Sequence, residues 1–510
     1  MLTVLLTMSD KRYLNGVVMA AVSIAALCGQ VAEAGQVRVT NVAGVGDGHV
    51  RFDVTWTASW RASWTESGTR WTNWDAAWVF VKYRRKGDPG WSHASLSAKD
   101  ADHSAPAGAE IDVALTGTRG MGVFLYRSAE GKGTWTNKGV KLKWLYKQDK
   151  VADPAEVELS VHAIEMVYVP KGSFYAGGGG KSYIPGRKRK QEAGSLTDGS
   201  WKTGSNSIPF KISSEAELKI ASAPGCLWGT FNMGPAGKLP AAFPKGYAAF
   251  YCMKYETSQG QYAEFLSQLT EPQAASRYPR PHIPARFIRS GMHTVTKVSA
   301  GYTATKPEKA CNWISWADGA AYADWAALRP MTELEYEKAC RGPLEPTPYE
   351  YAWGSATLSE TAATGHKDTP ICPYPVGICG KAARTKAGST YWGIATMSGH
   401  LRERTVTVGV PAGRLFTGAC GDGALTADGF ANVPGWPGPS TAGAGFRGGP
   451  WYEDKVRLQV SDRFLAVCLR PQRAEAYGFR GVRQAPCKAR SKTGSRKDET
   501  QGRDHFNGAG

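Results

Sequence analysis

Between residues 37 and about 161, hydrophobic and polar positions alternate with period two. Val50, Phe52, Val54 and Trp56 are separated by polar residues, as are Ile111, Val113 and Leu115, and such alternation predicts strands with one buried face. A denser apolar run at 76–83 predicts a further strand, and others are predicted at 121–126 and 140–145. Gly, Asp, Ser and Pro turns divide these runs, so residues 35–162 are predicted to form an all-β, immunoglobulin-like sandwich. Six tryptophans from Trp56 to Trp78 fit core and cross-strand packing better than a sugar-stacking surface.

From Ile164 onward the period changes and three helices are predicted among short strands. Thr257 or Ser258 caps the first, whose Tyr262, Phe265, Leu266 and Leu269 share a face. Ser315 caps the second, with Trp316, Ala320, Ala323 and Ala327 at helical spacing. The third opens with Thr332-x-x-Glu335, in which each side chain can satisfy a backbone N–H of the other, and Gly342 is its natural stop. After Pro343 the chain reads as loops and short strands to Pro486.

The composition agrees with a globular, loop-rich chain. At 510 residues, 42% hydrophobic and 21% charged, it excludes a wholly disordered chain, while 60 glycines and 29 prolines without a collagen period exclude collagen and argue against a helical bundle. The length suggests two to three domains. Lys11 and Arg12, an apolar stretch at 17–28 and Ala32-Glu33-Ala34 have the form of a cleaved export signal over 1–34. Export to the periplasm, cell surface or exterior follows, with no integral membrane segment after cleavage. The remaining nine cysteines would then meet an oxidising compartment. Cys372 and Cys379, which close a short Pro/Gly loop, are the favoured disulfide. No C-x-x-C, H-x-H or H-E-x-x-H spacing supports zinc or dithiol chemistry. The net charge of +18 points in an exported chain to an anionic polysaccharide or cell-surface polymer rather than to nucleic acid. The run Arg187-Lys188-Arg189-Lys190 reads as a solvated loop within 177–204, and residues 488–510 as a disordered basic tail.

Seven motifs then appear in order. They are Glu165-Met166-Val167-Tyr168-Val169-Pro170-Lys171-Gly172-Ser173-Phe174, Met253-Lys254-Tyr255-Glu256-Thr257-Ser258-Gln259-Gly260-Gln261-Tyr262, Arg329-Pro330-Met331-Thr332-Glu333-Leu334-Glu335-Tyr336-Glu337, Tyr351-Ala352-Trp353-Gly354, Met397-Ser398-Gly399, Phe446-Arg447-Gly448-Gly449-Pro450-Trp451 and Gly478-Phe479-Arg480. Together they resemble the formylglycine-generating enzyme (sulfatase-modifying factor) family. The resemblance implies an α+β, C-type-lectin-like domain over 163–487. Catalytic members oxidise a sulfatase cysteine to formylglycine with molecular oxygen and a copper ion held by two cysteines. By the family's spacing those thiolates fall on Glu453 and Leu458, a hard carboxylate and an aliphatic side chain that do not make a Cu(I) site. Copper is therefore not expected.

The family also binds calcium. The resemblance places a degenerate site on the carbonyls of Gly399 and Leu401 and the carboxylate of Glu403, with Thr396 where an Asn or Asp belongs and His400 and Arg402 replacing the motif Asn and Trp. Arg402 should weaken a hard-cation site, and an Arg404–Glu403 pair is the alternative. The leading functional expectation is a non-catalytic binding or surface-structural protein with no catalytic residue assigned. The second is a formylglycine-generating oxidoreductase with a different ligand set. Iron-dependent sulfoxide synthase chemistry is disfavoured, because no H-x3-H-x-E spacing accompanies His49, His93, His103 and His162.

Overall fold

The computed structural model describes residues 37–486 except 67, 179–199, 205–207, 230–231, 359–383 and 454. The export signal, the Cys372–Cys379 pairing, the Arg187–Lys190 run with most of its loop, and the basic tail all lie outside the described residues.

The alternating segments form strands. β1 (Val37–Val45), β2 (His49–Glu66), β3 (Thr69–Arg85), β4 (Ser92–His93), β5 (Ala109–Thr116), β6 (Arg119–Arg127), β7 (Gly131–Lys143) and β8 (Val157–Val169) belong to one eleven-stranded sheet. β2 pairs antiparallel with β1 and β7 along its first part and with β3 along its last. β3 in turn pairs with β6 and β8, so the chain folds over on itself. Val50, Phe52, Val54 and Trp56 of β2 are fully buried against Val79, Val81, Val123 and Leu125. Residues 76–83 are buried on both faces, including Lys82, which interrupts the apolar run. One position departs from the period: Leu115, just past a bulge between Ala114 and Leu115 that shifts the register against β6, is exposed.

Residue 162, the expected boundary between two domains, lies in the middle of β8 rather than in a linker. β8 pairs with β3 through residues 157–167 and also with the strand Phe250–Met253 through residues 166–169. The sheet continues through Gly481–Gln484 to Arg329–Pro330. Apolar side chains before and after residue 162 share cores: Trp78, Phe80 and Phe124 pack with Tyr251, Phe265 and Trp325, and Trp60 and Trp64 with Trp353, Tyr391 and Trp392. The sequence pattern shows the change of period at 162 but not that one strand serves both sides. All described residues fall in one compact unit, Ala32–Gly510.

The three predicted helices form at Gln259–Gln268, Trp316–Trp325 and Glu333–Arg341, each with a reciprocal capping box, on Ser258 and Gln261, Ser315 and Asp318, and Thr332 and Glu335. Gly342 ends the last with φ 69°, and a Cβ there would lie 2.5 Å from the Tyr391 ring, so both conformation and space call for glycine. Ala327 falls beyond its helix and adopts a positive φ of 54°. Short helices at Glu271–Arg277, Ala285–Arg289 and Pro411–Arg414 carry no period long enough to read from the sequence. The tryptophans read as packing residues are so used: Trp56, Trp60 and Trp78 are fully buried, and Trp71 and Trp74 are partly buried against the cores. No helix among the described residues is long and apolar enough to cross a membrane.

Candidate functional site

The later motifs converge on a small three-stranded sheet. Strand Arg402–Val406 lies between Ala444–Arg447, antiparallel, and Tyr477–Gly478, parallel, with Glu403 opposite both Arg447 and Gly478. Around it run the loops 396–401, 448–458 and 478–480. Gly399 donates its N–H to the Gly448 carbonyl at 2.8 Å, and Trp451 donates to His400 at 3.1 Å. Gly448 and Gly449 have φ of 87° and 61°, and a Cβ on either would come within 2.9 Å of a backbone carbonyl. A Cβ on Gly478 would meet Leu401 at 2.9 Å. The glycine motifs therefore bring backbones together, as expected of them. Phe479 is buried, whereas Trp451 is only partly so, stacking edge-on with exposed Tyr452.

The carboxylate expected to ligate calcium is committed to a cation within the chain. Glu403 is fully buried, and Arg480 Nε donates to both its oxygens at 2.8 and 3.1 Å. The same guanidinium donates to the carbonyls of Met253 and Ala395 at 2.8 and 2.9 Å. Arg404, the alternative partner from the sequence, instead donates to the carbonyls of Ile314, Arg470 and Gln472. Beside this pair Glu256 accepts the Leu401 N–H at 3.1 Å and a short hydrogen bond from His400 Nδ1. Burial opposes the charged imidazole, but the Glu256 carboxylate prevails and raises His400 above its usual 6.5. Burial likewise pushes Glu403 above the usual glutamate range, with Arg480 pulling against it. Gly399, Leu401 and Glu403 are the residues that the resemblance assigns to calcium, but a carboxylate bound by a guanidinium does not fit a hard divalent cation. Millimolar calcium is expected to move the thermal midpoint by less than about 1 °C, as is a chelator, because a ligand without a site adds no linkage stabilisation. A calcium-dependent rise of several degrees in a melting experiment would reverse this assignment.

The two positions that resemblance assigns to copper are equally committed. Glu453 forms a short ion pair with Arg402, both partly buried. Leu458 ends the short 3-10 turn Lys455–Leu458 and is 2% exposed among Met331, Tyr336, Trp353 and Met397. This pair does not fit a soft metal ion either. The described cysteines at 226, 252, 311, 340, 420 and 468 are all free thiols. Cys252 and Cys340 are fully buried, and burial pushes both thiols well above their usual range, so neither presents a thiolate.

Two partners in this cluster, Glu256 and Arg480, lie in motifs whose sequence assigns them no role. A signal was present: a Glu in one motif and an Arg in another, each amid residues destined for the core, must find an opposite charge when buried. What the sequence does not carry is which of the arginines does so.

Residues 210–485, more than half of the chain, match the model of the sulfatase-modifying factor enzyme 1-like domain. The motif at residues 165–174 precedes the matched part. The chain is 28% identical to the formylglycine-generating enzyme of Thermomonospora curvata over 177 residues, 29% of this chain and 56% of that protein. It is 31% identical to the hercynine oxygenase of Mycobacterium tuberculosis over 112 residues, 21% of this chain and 26% of that protein. It therefore spans about half the length of the first relative and about a quarter of the second. Among solved structures it aligns with Treponema denticola variable protein 1 over 64% of this chain and 96% of that one, at 11% identity and a TM-score of 0.25. With the motifs in order, their loops gathered on one sheet and the family model matched across 210–485, the chain belongs to the sulfatase-modifying factor (formylglycine-generating enzyme) family.

Proposed function

We propose that this protein is an exported, non-catalytic member of its family, acting as a binding or surface-structural module on a C-type-lectin-like frame joined to an immunoglobulin-like β-layer. One observation carries the reading: where the family's copper thiolates belong, the chain has Glu453 paired with Arg402 and Leu458 sealed in the core. A general base can be exchanged for another of similar pKa, but a linear dithiolate site cannot be rebuilt from one hard oxygen and a methyl-bearing side chain. The frame then holds loops for binding rather than for oxidation. The excess of lysine and arginine would keep the exported chain near anionic cell-surface polymers.

The alternative is formylglycine-type oxidation by another ligand set, which the names of the relatives favour. It would need a pair of accessible thiolates. Purified protein with copper, reductant and a sulfatase-type cysteine peptide is expected to yield no aldehyde by mass spectrometry. Aldehyde formed over repeated turnovers would establish the oxidoreductase and end the non-catalytic reading.

A further inference from the structure

Residues 272–307 carry six Lys or Arg and no Asp or Glu, so 36 residues supply +6 of the chain's +18. Two of the six are committed: Arg277 pairs with buried Asp318 at 3.1 Å, and Lys297 with Glu271 at 3.0 Å. The other four, Arg280, Arg286, Arg289 and Lys306, form no ion pair among the described residues. We propose that the surface they form docks a linear acidic polysaccharide, a proposal that rests on the binding-module reading and gives that reading its partner surface.

The four cations lie around one short stretch of chain. Arg286 and Arg289 are exposed and three residues apart on the helix Ala285–Arg289, so they share a face. Another side of that helix is fixed to the fold by Phe287, which meets the Trp313 ring edge-on at 5.5 Å. Gly291 follows the helix, and a Cβ there would lie 3.0 Å from Lys306 Nζ, which puts that ammonium beside the helix end. The Lys306 N–H donates to Thr294 Oγ1 at 3.2 Å, and Arg280 Nη1 reaches the Val295 carbonyl at 3.5 Å. All four thus border residues 286–295.

Capping of the helix does not account for them. A helix C-terminus attracts cations through its unpaired carbonyls, but here the carbonyls of Arg286, Phe287 and Ile288 already accept the N–H groups of Ser290, Met292 and Gly291. Like charges three residues apart on a helix repel, and nothing acidic within 272–307 relieves Arg286 and Arg289. An anion from outside the chain would do so.

The neighbouring side chains narrow the kind of anion. Stacking on single-stranded bases needs exposed aromatic faces, whereas Tyr278 and Tyr302 are half-buried against each other, with ring centres 5.0 Å apart. Peripheral membrane anchors add large apolar side chains to the charge. Within 272–307 only Val298, at 43%, is a large apolar side chain left exposed. Arginine forks suit carboxylates and related oxyanions, which accept two N–H groups at once. Cations spread over an exposed helix and its rim match a polymer that crosses the surface and presents such groups at intervals, and for the exported chain proposed above an acidic polysaccharide supplies them.

The test is calorimetric titration of the full chain with heparin and polygalacturonate, beside neutral dextran, duplex DNA and phosphatidylglycerol vesicles. At least one of the two acidic polysaccharides is expected to bind, with an affinity that falls about tenfold or more between about 50 and 200 mM salt as counterions are released. Arg286→Glu combined with Arg289→Glu should weaken it by a further factor of about ten or more at the lower salt, and Arg286→Gln with Arg289→Gln by less. Arg51→Glu with Lys141→Glu makes the same change in net charge at two exposed residues paired across β2 and β7. That variant should lose less than about threefold, since it alters only the distant, screened field. The glutamine pair carries the test if the glutamate pair does not fold. Binding by neither acidic polysaccharide, equal losses in the two glutamate variants, or tighter binding by DNA or vesicles than by both polysaccharides overturns the proposal. Each of these leaves the binding-module reading standing, which falls to the aldehyde assay above.

Discussion

Replacing Lys254 by methionine is expected to cost about 3–5 kcal/mol of folding stability, because it leaves two buried carboxylates without a cation. Lys254 is fully buried at the seam where β2, β3, β8 and the strand Phe250–Met253 meet. Its Nζ lies 2.7 Å from Asp75 and 3.1 Å from Glu165, and it also donates to the Ala58 carbonyl at 3.1 Å. One ammonium faces two carboxylates, so the cluster lacks one positive charge and a proton supplies it. Burial, with Glu165 adding to it and Lys254 opposing, pushes Asp75 from 3.8 to about 7. A carboxyl whose folded pKa is raised binds more protons folded than unfolded. Its contribution to stability is therefore complete below about 3.8 and is lost as pH rises through about 7. Asp75→Asn should accordingly cost far less than Lys254→Met at neutral pH, since the amide oxygen can still accept the Trp60 N–H now held at 2.7 Å. It should also remove that part of the pH slope. Urea unfolding at about pH 5 and about pH 8 reads both effects. A Lys254→Met variant within about 1 kcal/mol of wild type would mean the cluster is open to water, contrary to its burial.

Much of this architecture is legible in the sequence because it depends on local rules. Period-two alternation marks β2 and β5, a dense apolar run marks the doubly buried half of β3, and cap residues at Thr257 or Ser258, at Ser315 and at Thr332 mark three helix starts. The motif glycines are legible for the same reason, since they act through their own backbone. What escapes is non-local. The partners of Glu403 and Lys254 lie 77 and 179 residues away along the chain, and nothing in the spacing distinguishes Arg480 from Arg404. The continuity across residue 162 is non-local too: nothing in the pattern says that β8 binds partners from opposite sides of the change in period.

Removing the Glu333 carboxylate as Glu333→Ala is expected to be as damaging as the loss of Lys254, about 3–5 kcal/mol, with the opposite dependence on pH. Glu333 is fully buried and accepts from Arg463 Nε at 2.6 Å, Arg447 Nη1 at 3.1 Å, Thr407 Oγ1 at 2.9 Å and the Val408 N–H at 2.8 Å. Arg447 also bonds Glu337 and the Val460 carbonyl, each at 2.6 Å. The network ties the helix Glu333–Arg341 to the strand Ala444–Arg447 and to the segment after Leu458, and so links two family motifs by ion pairing rather than by catalysis. Alanine would leave two buried guanidiniums with only one of these carboxylates to share, whereas Glu333→Gln keeps acceptor oxygen but no charge and should fall between alanine and wild type. Burial raises the Glu333 pKa, yet Arg463 and then Arg447 pull it further down, to a net value below the usual 4.5. A depressed carboxylate contributes stability that is present above about 4.5 and is lost as pH falls through its folded value. The wild type should therefore lose this part of its stability in acid, and the alanine variant, having already lost it, should show a flatter profile there. Denaturation midpoints for the three proteins from neutral pH down to about pH 3 separate the outcomes. Parallel profiles for wild type and Glu333→Ala would show that the carboxylate is not ionised in the fold, and the motifs would then need another reason to persist.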